Sequence, residues 1–265
     1  MIQLSELRQR KMDIDIAAPS RHRFHFLKFV TEGSGSHWVD FTKHAVAKGD
    51  VLQVRPGQVH AFDADSDHEA LLLVFRPETV SPDQIRRLAV NLTEPFSLEP
   101  RDHSALVQLL QFIQQMDEVP EELRLTSMAP GLLHAILSGL NDLYIRRNEK
   151  TRTPAHNRAS ELIFRIETLL RENSKRQSLA DYTDQLNVTP RTLARACHTI
   201  RGMNPKRLID QHFVMEAKRR LVLGDETVEE IAFDLGFSEA TNFVKFFKRI
   251  AETTPQAFRQ EQRKL

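Results

Sequence analysis

The sequence predicts an α+β chain of two modules, an antiparallel β barrel or sandwich followed by a segment that is helical throughout. Three observations carry this reading: short β-rich runs separated by glycine turns fill the stretch from Phe24 to Phe75, a helical period takes over after Pro100, and the chain beyond Asn157 contains an internal repeat. At 265 residues there is enough chain for two domains, each with its own core.

Phe24 to Val30, His37 to Phe41, Val46 to Val54 and Leu71 to Phe75 read as strands, punctuated by Gly33-Ser34-Gly35, Lys48-Gly49-Asp50 and Pro56-Gly57. Strands so short and so closely spaced suit an antiparallel barrel or sandwich. Leu106, Leu109, Leu110, Ile113 and Met116 then fall at helical spacing, as do Leu132, Leu133, Ile136, Leu137, Leu140, Leu143 and Tyr144 on a second, longer helix. The second stripe is broad enough to cover the barrel and also a second copy of the chain, so these helices are candidates for a homodimer contact. The polar stretch Asn148 to Asn157, with Thr153-Pro154 inside it, is the expected linker. The expected organisation is thus a barrel over residues 1–100, helices packed on it over 101–147, a linker over 148–157 and a helical module over 158–265. In that last module Thr189-Pro190, Asn204-Pro205 and Thr254-Pro255 each place a capping side chain before a proline suited to the first helical position. Gly202, Gly224 and Gly236 stand where helices should end.

Composition narrows the class. The chain is 40% hydrophobic and 28% charged, an ordinary folded composition, and its single cysteine, Cys197, rules out an internal disulfide or a cysteine-based zinc cluster. Met1 to Lys11 holds no apolar stretch of signal-peptide length and no run of 18 apolar residues exists, so a cytoplasmic protein away from the membrane is expected. Charge is uneven: residues 1–150 carry 17 basic against 21 acidic residues, net −4, and residues 151–265 carry 20 against 15, net +5. A basic second module is compatible with a polyanionic partner.

The repeat sharpens that idea. At an offset of 49, Leu179 aligns with Val228, Tyr182 with Ile231, Leu186 with Leu235 and Val188 with Phe237; after a one-residue insertion the offset is 50, and Leu193 aligns with Phe243, Arg195 with Lys245 and Asn204-Pro205 with Thr254-Pro255. Each copy has the layout of a helix-turn-helix, a short amphipathic helix, a tight turn and a capped second helix. Such a second helix fits the major groove of double-stranded DNA, where each base pair presents a distinct donor and acceptor pattern. The outward residues expected to meet DNA are Arg191, Thr192, Arg195 and His198 on the first copy, and Ala240, Thr241, Asn242 and Lys245 on the second, with Lys248 and Arg249 near its end. Pro205 to Leu223 would join the two units so that they read successive grooves on one DNA face.

The blocks Glu216-Ala-Lys-Arg-Arg-Leu221, Val228-Glu-Glu-Ile-Ala232, Asp234-Leu-Gly-Phe-Ser238, Phe246-Phe-Lys-Arg249 and Thr254-Pro-Gln-Ala-Phe-Arg259 closely resemble the C-terminal signature of AraC/XylS-type bacterial transcription regulators. Leu186-Asn-Val-Thr-Pro-Arg-Thr-Leu-Ala-Arg195 and Gly202-Met-Asn-Pro205 are similar to that family's first helix-turn-helix. Three positions depart from the pattern: Glu252 stands where a glycine is common, Thr183 where an alanine is, and Cys197 where a phenylalanine is. The resemblance implies a cupin-like N-terminal barrel that binds a small effector or mediates dimerisation, and activation through contact with RNA polymerase.

Within the front module, Gly33-Ser-Gly35, His37-Trp-Val-Asp-Phe41 and the run from Gly49 to His60 look like the strand-turn-strand pattern of that barrel. As an effector site, Trp38 and Phe62 would supply apolar walls and His37, Asp40, Arg55 and His60 polar anchors. A metal centre is not expected, because His37 lacks a second histidine at the paired position and His60 alone supplies too few ligands. His22 and His25 have no spacing that adds to them. No cofactor is called for, and no nucleophile elbow, phosphate-cradling glycine loop or His-Glu-x-x-His helix points to an enzyme.

Overall fold

Alternating side chains explain how the front module folds. In the computed structural model, which describes residues 2–3, 18–63, 67–85, 94–118, 128–147 and 153–262, eight strands form one antiparallel sheet: β1 (Ile2–Gln3), β2 (Ser20–Arg21), β3 (His25–Val39), β4 (Thr42–Ala47), β5 (Asp50–Val54), β6 (Val59–Phe62), β7 (Asp67–Phe75) and β8 (Phe96–Ser97). The hydrogen-bonded path runs β1-β7-β3-β5-β8 and is open between its ends among the described residues. β3 is shared by two layers, because its first half lies between β5 and β7 while its second half lies between β4 and β6.

The sequence predicts two strands here, broken at Gly33-Ser34-Gly35. They are one strand, and the glycines mark a bulge. The register slips between Val30 and Glu32, and Gly33 sits at φ +71°, where a Cβ would lie 2.2 Å from the Asp67 carbonyl oxygen. Only glycine fits a left-handed residue pressed so closely on the neighbouring strand. Conversely Val46 to Val54 is two strands, β4 and β5, folded back at Lys48-Gly49.

Odd and even positions along β3 feed two cores. Leu27 and Phe29 join Val51, Leu71, Leu73, Phe75 and Phe96 under two helices, α1 (Pro100–Glu118) and α2 (Met128–Arg147). The helices close that face with Leu106, Leu110, Leu133, Ile136, Leu137 and Leu140. Phe26 and Val30 instead meet Val39, Val46, Leu52, Val54, Ala70 and Leu72. Burial on both faces accounts for the nearly unbroken apolar runs.

The chain divides into two units, Met1–Glu149 and Lys150–Leu265. The second is all helical: α3 (Pro154–Glu172), α4 (Leu179–Leu186), α5 (Pro190–Arg201), α6 (Pro205–Leu223), α7 (Val228–Asp234), α8 (Ala240–Ala251) and α9 (Pro255–Gln262). α3 begins inside the stretch expected to be a linker, with Thr153 as its N-cap, the side-chain oxygen accepting from the His156 N–H at 3.1 Å. Its apolar face, Leu162, Ile163, Ile166 and Leu170, is buried, and α3 packs along α5. Around α8 the core is aromatic: Phe243 meets Phe237 and Phe247 at ring-centroid distances of 5.4 and 5.9 Å, and Phe247 meets Phe258 at 6.0 Å. No helix among the described residues is long and apolar enough to cross a membrane.

Candidate nucleic-acid interface and effector cavity

The two copies of the repeat share the caps of their first helices and the turns that follow. α4 and α7 both start with a capping box: Ser178 Oγ accepts from the Asp181 N–H at 3.2 Å while Asp181 accepts from the Ser178 N–H at 2.8 Å, and Thr227 and Glu230 do the same at 3.1 and 2.7 Å. The exposed Asp181 and Glu230 carboxyls are held below their ordinary pKa, in Asp181 chiefly by the Ser178 hydroxyl and in Glu230 chiefly by the Thr227 backbone N–H. The turns that follow use left-handed residues at equivalent places, Asn187 at φ 53° and Gly236 at φ 91°. α5 and α8 also end on equivalent left-handed residues, Gly202 at φ 63° and Glu252 at φ 60°. The turn at Glu252 therefore forms without a glycine.

The copies differ where the insertion falls. α5 opens on Thr189, whose hydroxyl oxygen accepts from the Thr192 N–H at 3.2 Å, followed by Pro190. In α8 the extra residue places Glu239 at the N-cap instead of Ser238, and its side chain makes no capping bond among the described residues. The second helix of the second copy is thus not side-chain capped as the sequence suggested.

The faces of the two helices match. α5 buries Leu193, Ala196 and Cys197, and α8 buries Phe243, Phe246 and Phe247. Arg191, Arg195 and His198 are exposed on α5, as are Thr241, Asn242, Lys245, Lys248 and Arg249 on α8, while Thr192 and Ala240 are half-buried in the first turns. Arg195 and Lys245 occupy equivalent exposed places. Arg249 has a second attachment that the sequence did not reveal: its guanidinium is 3.1 Å from the Asp210 carboxylate, although 59% of its side chain remains exposed. Cys197, standing where the second copy has Phe247, is a filler; burial pushes its thiol up to about 11.

In the sheet domain the six residues expected around an effector separate into three groups. His37 and His60 lie together, His37 Nε2 3.2 Å from His60 Nδ1, with Phe62 edge-on to His37 at 4.7 Å. Both rings are closed away, His37 wholly and His60 at 5% exposure, and stacked near Phe26. Burial, aided by the nearby positive charge of Lys28, drives the His37 pKa well below its usual range. Burial and the neighbouring His22 bring His60 down to about 4. Both imidazoles are neutral at pH 7. Trp38, one residue along, points to the other face, where the Lys43 ammonium sits 5.7 Å from its ring. Asp40 and Arg55 serve a turn: Gln58 donates to Asp40 at 2.7 Å and accepts from the Arg55 N–H at 2.8 Å, and Asp40 accepts from the Val59 N–H at 3.1 Å.

The open space lies elsewhere. A cavity of about 810 Å³ is bounded by the β3 bulge (Thr31, Glu32), the β4–β5 turn (Lys48), β7 (Glu69) and α1 (His103, Gln111). None of the six expected effector residues is among the described residues that line it. His103 is fixed there by donating from Nε2 to the Val30 carbonyl at 3.0 Å. Its volume falls in the range of small-molecule sites. Among the described residues no group of three histidine, cysteine or acidic side chains is disposed to hold a metal ion.

Comparison with known proteins gives consistent results. Residues 4–156 match the family model of the AraC-like ligand binding domain, and residues 182–261 match that of a helix-turn-helix domain. The HTH-type transcriptional activator RhaS of Escherichia coli is 26% identical over 247 residues, which is 90% of this chain and 86% of RhaS. Among solved structures, ToxT of Vibrio cholerae with a bound unsaturated fatty acid is 15% identical over 91% of this chain and 88% of its own, with a TM-score of 0.43. The DNA-binding domain of AdpA in complex with a target DNA is 22% identical over 40% of this chain and 93% of its own, with a TM-score of 0.35. With an AraC-like ligand binding domain matched over more than half its length and a helix-turn-helix domain behind it, this chain belongs to the AraC family of transcription regulators.

Proposed function

We propose that the chain is an effector-controlled transcription activator that reads two successive major-groove segments of double-stranded DNA with α5 and α8. The observation that carries this is the equivalence of Arg195 and Lys245, exposed at matching places on the second helices of the two copies. Arg191, Thr192, Arg195 and His198 face one segment and Ala240, Thr241, Asn242 and Lys245 the other; Arg195 is the natural bidentate partner for guanine. Lys248 and Arg249, one turn further on, supply phosphate contacts, which give affinity that falls with salt. The family and the naming of RhaS as an activator support activation, with RNA polymerase as the partner. In the sheet domain the effector takes the cavity beneath α1, where Glu32, Lys48, Glu69 and Gln111 suit a polar small molecule. The His37–His60–Phe62 cluster is packed shut and serves as core. α1 and α2 carry Phe112 and Met128 exposed, at 45% and 37%, which suits a homodimer contact through these helices. This reading assigns the chain no catalytic role and no cofactor.

Selection of random duplex DNA by the purified protein at two salt concentrations tests the reading. Two sequence blocks about one helical turn apart are expected. A single block, or no block at either salt, overturns reading by two units.

A further inference from the structure

We infer that Asp210 sets the spacing between the two DNA segments the protein accepts, acting as a positioning residue through Arg176 and Arg249; this rests on the DNA reading above. Asp210 lies on α6, the helix between the two copies, and its side chain is 8% exposed. One oxygen accepts from Arg176 Nη2 at 2.7 Å and the other from Arg249 Nη2 at 3.1 Å. These arginines come from opposite sides. Arg176 belongs to the α3–α4 connection, beside the first copy of the repeat, and Arg249 to the last turn of α8 in the second copy. Both also sit against the buried ring of Phe246, itself on α8, with their guanidinium carbons 5.4 and 5.8 Å from its centroid. The backbone makes the same crossing: the Arg176 N–H donates to the Leu235 carbonyl at 3.0 Å, beside Gly236, where a Cβ would come within 3.3 Å of Arg176 N.

A buried carboxylate holding two guanidiniums against one ring is a directional joint. Each charge-assisted bond has a narrow geometry, and without the carboxylate two like charges meet at one ring with nothing to hold them together. An amide keeps the shape but presents a donor to one arginine, so the joint opens on one side. What the joint fixes is the placement of α8 relative to the first copy of the repeat. Adding one base pair between two DNA segments displaces the second by about 3.4 Å and turns it by roughly a tenth of a revolution. A clamped pair of helices cannot follow that step.

The test measures binding of the full chain to its selected duplex, to duplexes with one base pair added or removed between the blocks, and to each block alone. Wild type is expected to lose roughly tenfold or more per step. Asp210→Asn should keep its affinity for each single block within about twofold while the spacing penalty falls to about threefold or less. Asp210→Glu should restore part of the penalty. Arg176→Gln, which lies on neither groove-facing helix, should repeat the Asn result and answers the question should Asp210→Asn not fold. A wild-type protein indifferent to spacing overturns the proposal. So does a folded Asp210→Asn or Arg176→Gln variant with the wild-type penalty, or one that weakens equally on every duplex and on single blocks. Failure of wild type to select any motif is seen before any variant is made, and it overturns the DNA reading itself.

Discussion

Replacing Arg195 by alanine separates recognition from folding. The side chain is exposed on α5, and the residues that anchor this helix, Leu193, Ala196 and Cys197, face the other way. Alanine is also the better helix former, so the melting temperature should hold or rise slightly. The whole effect should appear in binding. A bidentate arginine–guanine pair contributes about 1–3 kcal/mol of discrimination, which is roughly a 5- to 150-fold loss on the selected duplex. The assay is fluorescence anisotropy with that duplex and with every base substitution in the block read by α5, at two salt concentrations. A base reader removed in this way loses preference at one position and little elsewhere. Uniform weakening across all duplexes, with the salt slope reduced by about 0.9, would show that Arg195 touches phosphate and not a base. Unchanged affinity and preference in a folded variant would refute the placement of this residue at DNA.

Three further outcomes follow from the fold. Gly33→Ala places a Cβ 2.2 Å from a carbonyl oxygen on a backbone at φ +71°, so it should destabilise the sheet domain by about 3 kcal/mol or more, measured as a shift in denaturant midpoint. Glu252→Gly should stabilise the second unit by about 0.5–1 kcal/mol, because glycine occupies the left-handed C-cap of α8 without strain; a melting temperature that falls instead would show that the Glu252 side chain contributes contacts. His60 titrates at about 4 folded against 6.5 unfolded, so between these values the unfolded chain binds more protons and stability rises with pH. The contribution is complete above about pH 6.5 and is lost as pH falls towards 4, on the order of 1–3 kcal/mol, and His60→Gln should flatten that part of the pH–stability curve.

The second unit was legible in the sequence because several independent signals shared one offset. Capping residues, apolar positions and basic positions repeat together, and the fold reproduces them at Asn204 and Thr254, Leu193 and Phe243, Arg195 and Lys245. The sequence misleads at the insertion, where Glu239 and not Ser238 takes the N-cap place of α8, and at the expected linker, inside which α3 already begins at Pro154. The sheet domain was less legible for a different reason. Gly33 has the same appearance in a turn and in a bulge, and only the neighbouring strand distinguishes them. Parity along β3 sends adjacent His37 and Trp38 to opposite faces, which composition does not reveal. The tie between Asp40 and Arg55 runs through Gln58, a residue with no chemical signature. The cavity draws its wall from residues as far apart as Thr31 and Gln111, and no local pattern marks it.

The two helix-turn-helix copies are built from different materials, and this makes them mechanically unequal. The second fills its core with its own phenyl rings, from Phe237, Phe243, Phe247 and Phe258. The first has smaller side chains at the equivalent places, Val188, Leu193, Cys197 and Leu208, and it takes the missing bulk from α3, whose leucines and isoleucines lie along α5. α3 is also the helix by which the chain enters this unit, at Thr153. A displacement of α3 therefore acts on the apolar seam beneath α5 and, through Arg176 just beyond its end, on Asp210 and on Phe246 of α8.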